Sequence, residues 1–293
     1  MQCPACFSDS TSAIKTYTQE GFTFHKCLNC AVYFCDPMKA GESEWYEKLK
    51  MYALPFQRTS YLRWYEKAFL KDQLLWKNKR ILNLGCSRNN FLKEVQNHGA
   101  EIVAVDFNKK IVDFTKDLGI KDVFLAEASL FIADYKGKKF DVFIALEVIE
   151  HLEQPGEFLK SLQSVLNKGA LIFLSVPNRD RFLAHMAKWD YPPHHLTRWD
   201  KVSLSTFLKI SGFTVKQISV SQLLADDLLE AMGIHFGAKF LENKIIHGNS
   251  GGAILFLYWA ASKFRVAFYK LLALVMRIFV KEGQNIYAVA RLN

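Results

Sequence analysis

The stretch Arg80-Ile81-Leu82-Asn83-Leu84-Gly85-Cys86-Ser87-Arg88-Asn89-Asn90 decides the fold. Its first five residues form a short apolar run, which reads as a buried strand. The next six are turn formers, and Phe91 to His98 reads as a helix closed by Gly99. The same alternation repeats outward. Glu101 to Asp106 is a second strand ending in an acid, and Lys109 to Asp117 is a helix closed at Gly119. Asp122 to Leu125, Phe140 to Leu146 and Ala170 to Val176 are the third, fourth and fifth strands, the last running into Pro177-Asn178. A helix over 200–211 precedes a sixth strand, Phe213 to Val220, and Asn285 to Arg291 is expected to be the seventh. Strands that alternate with helices imply a mostly parallel sheet covered on both faces.

This is the Rossmann-like α/β class. In such a sheet a ligand lies across the carboxyl ends of the strands, where the first turn must let the backbone come close. Asp106 follows Gly85 by 21 residues. A carboxylate there can accept hydrogen bonds from both hydroxyls of a ribose.

The segments Ile81-Leu82-Asn83-Leu84-Gly85-Cys86, Val105-Asp106, Phe140-Asp141-Val142, Glu147-Val148-Ile149-Glu150-His151-Leu152 and Ser175-Val176-Pro177-Asn178 together resemble the class I S-adenosylmethionine-dependent methyltransferases. The branch most similar includes ubiquinone-biosynthesis O-methyltransferases and those of polysaccharide and glycolipid pathways. The resemblance implies that Gly85 and Cys86 hold the methionine part of the cofactor. It further implies that Asp106, with Phe107 beside it, holds the ribose, that Glu127 and Ala128 border the adenine, and that Leu146 and Glu147 stand near the sulfonium. The family turn reads acid-x-Gly-x-Gly-x-Gly, whereas this chain has Asn83, Ser87 and Asn89 at three of those four positions. Ser87 and Asn89 are then expected to serve the loop as hydrogen-bond donors. The rival expectation is a scaffold that has lost the cofactor.

Glu147, Glu150 and His151 are spaced to share one face of a helix. Tyr191-Pro192-Pro193-His194-His195-Leu196-Thr197-Arg198-Trp199 follows some forty residues on. Three roles stay open for Glu150, His151 and His195. An imidazole near neutrality suits a general base that removes an acceptor proton. Glu147, Glu150, His151 and one of His194 or His195 also form a carboxylate–imidazole set for a divalent ion, similar to the metal set of small-RNA 2′-O-methyltransferases. The third role is structural, orienting the segment after the fourth strand.

Cys3-x-x-Cys6 and Cys27-x-x-Cys30 stand twenty residues apart. Two such knuckles bring four thiolates to one tetrahedral zinc ion with no open position, a structural zinc ribbon. Cys35 and Cys86 fall outside the pattern and read as small buried hydrophobes. The first residues lack a basic start followed by an apolar run, so a reducing, cytoplasmic setting is expected.

The chain has 293 residues, half of them hydrophobic, a net charge of +9 and a pI near 9.1. That composition excludes a disordered or repeat protein and favours an anionic partner without choosing it. Residues 1–40 are expected to be the ribbon, and 41–77 an aromatic helical linker or lid carrying Trp45, Tyr46, Tyr52, Tyr61, Trp64, Tyr65, Phe69 and Trp76. Residues 78–220 and 284–293 are the sheet domain, and 221–283 a helical insertion. Within the insertion, residues 252–281 are apolar, with Lys263, Lys270 and Arg277 seven apart. That pattern suits a helix lying on an anionic membrane surface at the inner face, or one packed on the chain itself. The acceptor is expected to be a saccharide, a lipid-linked compound or another small molecule. Nucleic acid is the weaker partner, because the basic residues are scattered and no aromatic–basic RNA motif stands out.

Overall fold

The computed structural model describes residues 1–19, 21–41, 61–182, 184, 190–223, 268–269, 271–280 and 282–293. Trp45, Tyr46 and Tyr52, and the insertion from 224 to 267, lie outside the described residues. The chain divides into two compact units. The first comprises Met1–Asn178, Trp189–Ser219 and Asn285–Asn293, and the second Arg179–Lys188 and Val220–Gln284.

The first unit holds two sheets. The N-terminal sheet has β1 (Thr11–Gln19), β2 (Phe22–Cys27) and β3 (Tyr33–Asp36), all antiparallel. Its fourth strand, β9 (Thr197–Arg198), comes from far along the chain and pairs with β3.

The larger sheet has seven strands in the order β10-β11-β8-β7-β4-β5-β6. These are β4 (Arg80–Leu84), β5 (Glu101–Asp106), β6 (Asp122–Leu125), β7 (Phe140–Leu146), β8 (Leu166–Pro177), β10 (Phe213–Val220) and β11 (Asn285–Leu292). The pairs β4–β5, β5–β6, β4–β7 and β7–β8 are parallel, and β11 runs antiparallel to β8. Ile81, Leu82, Asn83 and Leu84 are all buried, as a strand covered on both faces requires. The order reverses beside β4: the chain goes first to β5 and β6, then returns to β7 on the other side. A ligand cleft opens at the carboxyl ends of the strands at such a reversal.

The helices of this unit include α1 (Trp64–Lys71), α2 (Gln73–Trp76), α3 (Phe91–Asn97), α4 (Lys109–Asp117), α5 (Ala128–Asp134) and α6 (Pro155–Leu162). Of the linker aromatics, Tyr65, Phe69 and Trp76 are core residues in α1 and α2, Trp64 is half-buried and Tyr61 is 62 % exposed. Phe69 stacks on Trp76 at 4.8 Å and meets Phe91 and Phe173 edge-on at 5.5 and 4.8 Å. Phe69 and Trp76 have no exposed surface, and burial of such a side chain is worth about 2 kcal/mol or more. Tyr287 Oη of β11 donates to Asp72 Oδ2 at 3.0 Å, which ties the corner between α1 and α2 to the sheet.

In the second unit, residues 268–269 and 271–276 are helical. Tyr269 and Ala273 are buried with Leu223, and Phe182 packs beside them. Phe268, Leu271, Leu274, Ile278 and Phe279 are each more than half exposed. Among the described residues, no helix is long and apolar enough to cross a membrane.

Candidate functional site

The residues expected to meet the cofactor gather at the carboxyl ends of four adjacent strands: Gly85 and Cys86 after β4, Asp106 and Phe107 at β5, Glu127 and Ala128 after β6, and Leu146 and Glu147 at β7. Gly85 has φ +77°, and a Cβ there would stand 2.7 Å from Val148 Cγ2. Only glycine suits both conditions.

Asp106 is 6 % exposed. Its Oδ2 accepts from the Cys86 amide at 2.8 Å and its Oδ1 from the Asn108 amide at 2.8 Å. Burial pushes the carboxyl up to about 6, and the two amide donors pull the other way. Glu127 is the residue before α5, and Phe107 is 47 % exposed beside the acid.

The three departures in the turn each have a partner. Asn83 Nδ2 donates to the Gly85 carbonyl at 3.0 Å. Ser87 Oγ donates to Glu66 Oε1 at 2.6 Å, and Asn89 Nδ2 donates to Glu66 Oε2 at 2.8 Å. Asn89 Oδ1 accepts from the Phe91 amide at 2.8 Å, an Asx turn that leads into α3. Glu66 also accepts from the Arg63 amide at 2.6 Å and is 2 % exposed. A buried carboxylate on α1 therefore grips the loop from outside the strand–turn–helix unit. Ser87 and Asn89 are donors, as expected, but toward Glu66. Sequence reasoning missed Glu66, and also Arg63, which is solvent-exposed within the field of Tyr65, Glu147 and Glu66. The signal available was one acid in a run of aromatics and bases.

The segment after β7 departs from the expected helix face. Ile149–His151 is a single 3-10 turn, and Glu147 has φ +58°. Glu147, Glu150 and His151 thus point by separate routes. Glu147 Oε1 accepts from Ser175 Oγ at 2.8 Å and its Oε2 from Asn285 Nδ2 at 2.9 Å, a clasp across β7, β8 and β11. Glu150 has no exposed surface, and among the described residues neither of its carboxyl oxygens has a hydrogen-bond partner. Burial, then Glu147, pushes its carboxyl well above the usual range.

The imidazoles of His194 and His195 stack with ring centroids 4.4 Å apart, and His151 meets both edge-on at 4.7 Å. His151 Nδ1 donates to the His194 carbonyl at 2.6 Å, and His195 Nδ1 donates to Asp190 Oδ1 at 2.5 Å. Arg198 holds the other Asp190 oxygen at 3.0 Å. Both rings are thus held from their Nδ1 sides. Burial, then His195 and His194, hold His151 well below the usual imidazole range, so it is neutral. Ligand atoms of the three histidines lie within 4.8 Å of one another; Glu147 and Glu150 stand outside that group, with Glu150 Oε1 3.9 Å from His151 Nε2. A divalent ion in this cluster would thus rest on three imidazoles, whereas the expected set joined Glu147 and Glu150 to His151 and one of His194 or His195. The Glu150 oxygens, buried and without hydrogen-bond partners among the described residues, are the acceptors such an ion or a shared proton would satisfy.

The four thiols of the N-terminal cluster fit one tetrahedral ion. Cys3 Sγ lies 3.7 Å from Cys30 Sγ, and Cys6 Sγ 3.4 Å from Cys27 Sγ. Zinc–sulfur bonds of about 2.3 Å put tetrahedral sulfurs roughly 3.8 Å apart. The two knuckles match: Phe7 and Ala31, each just after a second cysteine, have φ of 60° and 62°. Cys35 and Cys86 are buried, and burial raises both thiols.

A methyltransferase domain family model matches residues 55–218, more than half of the chain. A ubiquinone biosynthesis O-methyltransferase of Coxiella burnetii is 23 % identical over 115 residues, which is 38 % of this chain and 49 % of that protein. One of Caulobacter vibrioides is 26 % identical over 152 residues, 45 % of this chain and 58 % of that protein. The chain thus spans about half the length of the curated relatives it matches. Among solved structures, an S-adenosylmethionine-dependent methyltransferase from Archaeoglobus fulgidus aligns with a TM-score of 0.52 at 16 % identity, over 77 % of this chain and 92 % of that one. The [4+2]-cyclase SpnF aligns with a TM-score of 0.50 at 15 % identity, over 78 % and 79 %. These likenesses establish the fold, and the family match goes further: with its glycine turn, its acid at the end of β5 and its seven-stranded sheet, the chain belongs to the methyltransferase domain family.

Proposed function

We propose that this chain transfers the methyl group of S-adenosylmethionine to an oxygen of a saccharide, a lipid-linked compound or another small molecule. The cofactor supplies an electrophilic methyl on a sulfonium. The protein aligns the acceptor with it and removes a proton. Asp106 is the acceptor for the ribose hydroxyls, the Gly85–Cys86 turn is open to the methionyl chain, and Arg63 is a cation available to its carboxylate. The observation that carries the oxygen-acceptor reading is the Asp190–His195 pair set edge-on against His151. Asp190 and the His194 carbonyl orient the two rings through Nδ1, and Nε2 is the atom assigned to take the acceptor's proton.

His195→Ala is expected to lower methyl transfer about 100-fold or more while S-adenosylhomocysteine affinity stays within about threefold. Tritiated S-adenosylmethionine with a catechol and free sugars as probe acceptors measures the first, and calorimetry the second. An active His195→Ala enzyme would sink the reading.

The second reading is a divalent ion at His151, His194 and His195, with Glu150 beside it. The buried Glu150 carboxyl, with no hydrogen-bond partner among the described residues, favours it. Zinc in the four-cysteine cluster is part of the same proposal, as a structural ion. The scaffold reading would require no calorimetric binding of S-adenosylmethionine at millimolar concentration.

We also propose that the insertion meets an anionic membrane surface. Phe268, Leu271, Leu274, Ile278 and Phe279 are exposed, and the sequence of this segment carries Lys263, Lys270 and Arg277 at intervals of seven. The chain is expected to sediment with phosphatidylglycerol vesicles, and Leu271→Glu with Ile278→Glu to abolish this. Equal sedimentation of the variant would remove the proposal.

A further inference from the structure

The histidine segment is held from two sides. On one side is the 3-10 turn: the Leu196 amide donates to the Glu150 carbonyl at 2.8 Å, and the His194 carbonyl accepts from His151. On the other side is the cysteine ribbon. Tyr33 pairs with Arg198 and Phe34 with Thr197 in the β3–β9 ladder, and the Cys35 amide donates to the Leu196 carbonyl at 2.9 Å. Leu196 has no exposed surface and completes the small ribbon core with Phe24 and Cys35. Tyr191 packs edge-on against Phe24 at 6.2 Å and lies under the Arg198 guanidinium. The two residues that fix the Asp190–His195 pair from the far side, Tyr191 and Arg198, thus both lean on the ribbon.

The ribbon is also anchored to the sheet domain at its first knuckle. The Gly156 amide of α6 donates to the Pro4 carbonyl at 3.0 Å. A Cβ at Gly156 would stand 2.6 Å from the Ala5 carbonyl oxygen, so glycine is what allows the knuckle to seat there. Lys160 Nζ covers the Phe7 ring at 3.9 Å. The cofactor turn hangs on other parts: β4, β5, Asp106 and the Glu66 carboxylate.

We infer that the cysteine ribbon is the positioning element for the acceptor side of the site. Its metal centre holds the His194–Arg198 segment against Glu150 and His151 and leaves the cofactor half standing on its own supports. Pro4, Ala5 and Phe7 lie in or beside the first knuckle, and Cys27 and Cys30 join β2 to β3. A ribbon this small has little core of its own, so the ion fixes both knuckles and, through them, the β3 edge on which β9 pairs. Loss of the ion frees β9, and with it the stacked pair His194 and His195. Phe34, Cys35 and Leu196 are positioning residues, each acting through the histidine segment. The inference rests on the proposed role of that segment, but its test reads structure and cofactor binding, so it stands or falls apart from the activity.

The experiment uses the full chain, loaded with zinc and then stripped with a chelator under reducing conditions. Hydrogen exchange is followed in peptides over 190–200 and over 80–107, and S-adenosylhomocysteine affinity is measured by calorimetry. On zinc removal, exchange over 190–200 is expected to accelerate about tenfold or more, with 80–107 unchanged and the affinity within about threefold. Unchanged exchange over 190–200 overturns the inference. Loss of cofactor affinity in step with the metal also overturns it, because the ribbon would then support the whole domain. Leu196→Ala gives a second route that keeps the cysteines intact. It is expected to retain its zinc and still to accelerate exchange over 190–200; protection equal to the parent chain overturns the inference as well.

Discussion

Glu66→Ala is expected to weaken S-adenosylmethionine binding about 30-fold. Three donors converge on this carboxylate: Ser87 Oγ, Asn89 Nδ2 and the Arg63 amide. Its removal leaves them in a site where Glu66 is 2 % exposed and Asn89 3 %. A buried donor left without an acceptor costs about 1–3 kcal/mol, and about 2 kcal/mol spent on holding the loop corresponds to that 30-fold loss. Glu66→Gln keeps one acceptor oxygen and should lose less. The informative comparison adds Ser87→Gly and Asn89→Gly to Glu66→Ala. Glycines need no partner at those positions, so the triple variant is expected to bind better than Glu66→Ala alone. Calorimetry checks the affinities, and thermal unfolding separates loop effects from global ones. If Glu66→Ala binds as the parent chain does, the grip of α1 on the turn has no role in cofactor binding.

Asp106→Asn is expected to lower the affinity further, about 100-fold, because one oxygen becomes a donor where amides and ribose hydroxyls all donate. The pH dependence follows from the burial that raises this carboxyl from 3.8 to about 6. The folded carboxyl holds its proton more tightly than the unfolded one. The empty fold is therefore favoured at low pH and loses that stability as pH rises from about 4 to about 6. Cofactor binding runs the opposite way, since the ribose needs the ionised form. Affinity for S-adenosylhomocysteine should fall below about pH 6 and level off above it, and the inflection should vanish in Asp106→Asn. A flat profile in the parent chain would show that another group anchors the ribose.

Much of the sheet domain was legible in the sequence because its signals are local. The buried run at 81–84, the glycine at 85 and the acid at 106 each lie within or just after the strand they define. The partners of the turn were not legible. Glu66 stands 21 and 23 residues from Ser87 and Asn89 and meets them only because Phe69 and Trp76 dock α1 on the core. The helical face expected for Glu147, Glu150 and His151 failed for a local reason. Glu147 takes a left-handed conformation and Pro155 starts the true helix, so one 3-10 turn fills the gap. The neighbourhood of His194 and His195 was visible as residue types, but the ring orientations depend on Asp190 and a backbone carbonyl. The fourth strand of the ribbon could not be read from 1–40 at all, since two residues near 197 supply it.

The clasp on Glu147 has a consequence for how the molecule is made. Asn285, which holds one of its oxygens, lies 138 residues downstream, and its strand fills the place between β8 and β10. During synthesis β4 to β8 can pair as they leave the ribosome, but the edge of β8 waits for residues translated much later. Until then Phe173 and its neighbours border an open edge, and Glu147 lacks its amide partner. A message cut short before codon 285 would therefore give no weakened enzyme, only a chain with an unpaired edge for chaperones and proteases to find.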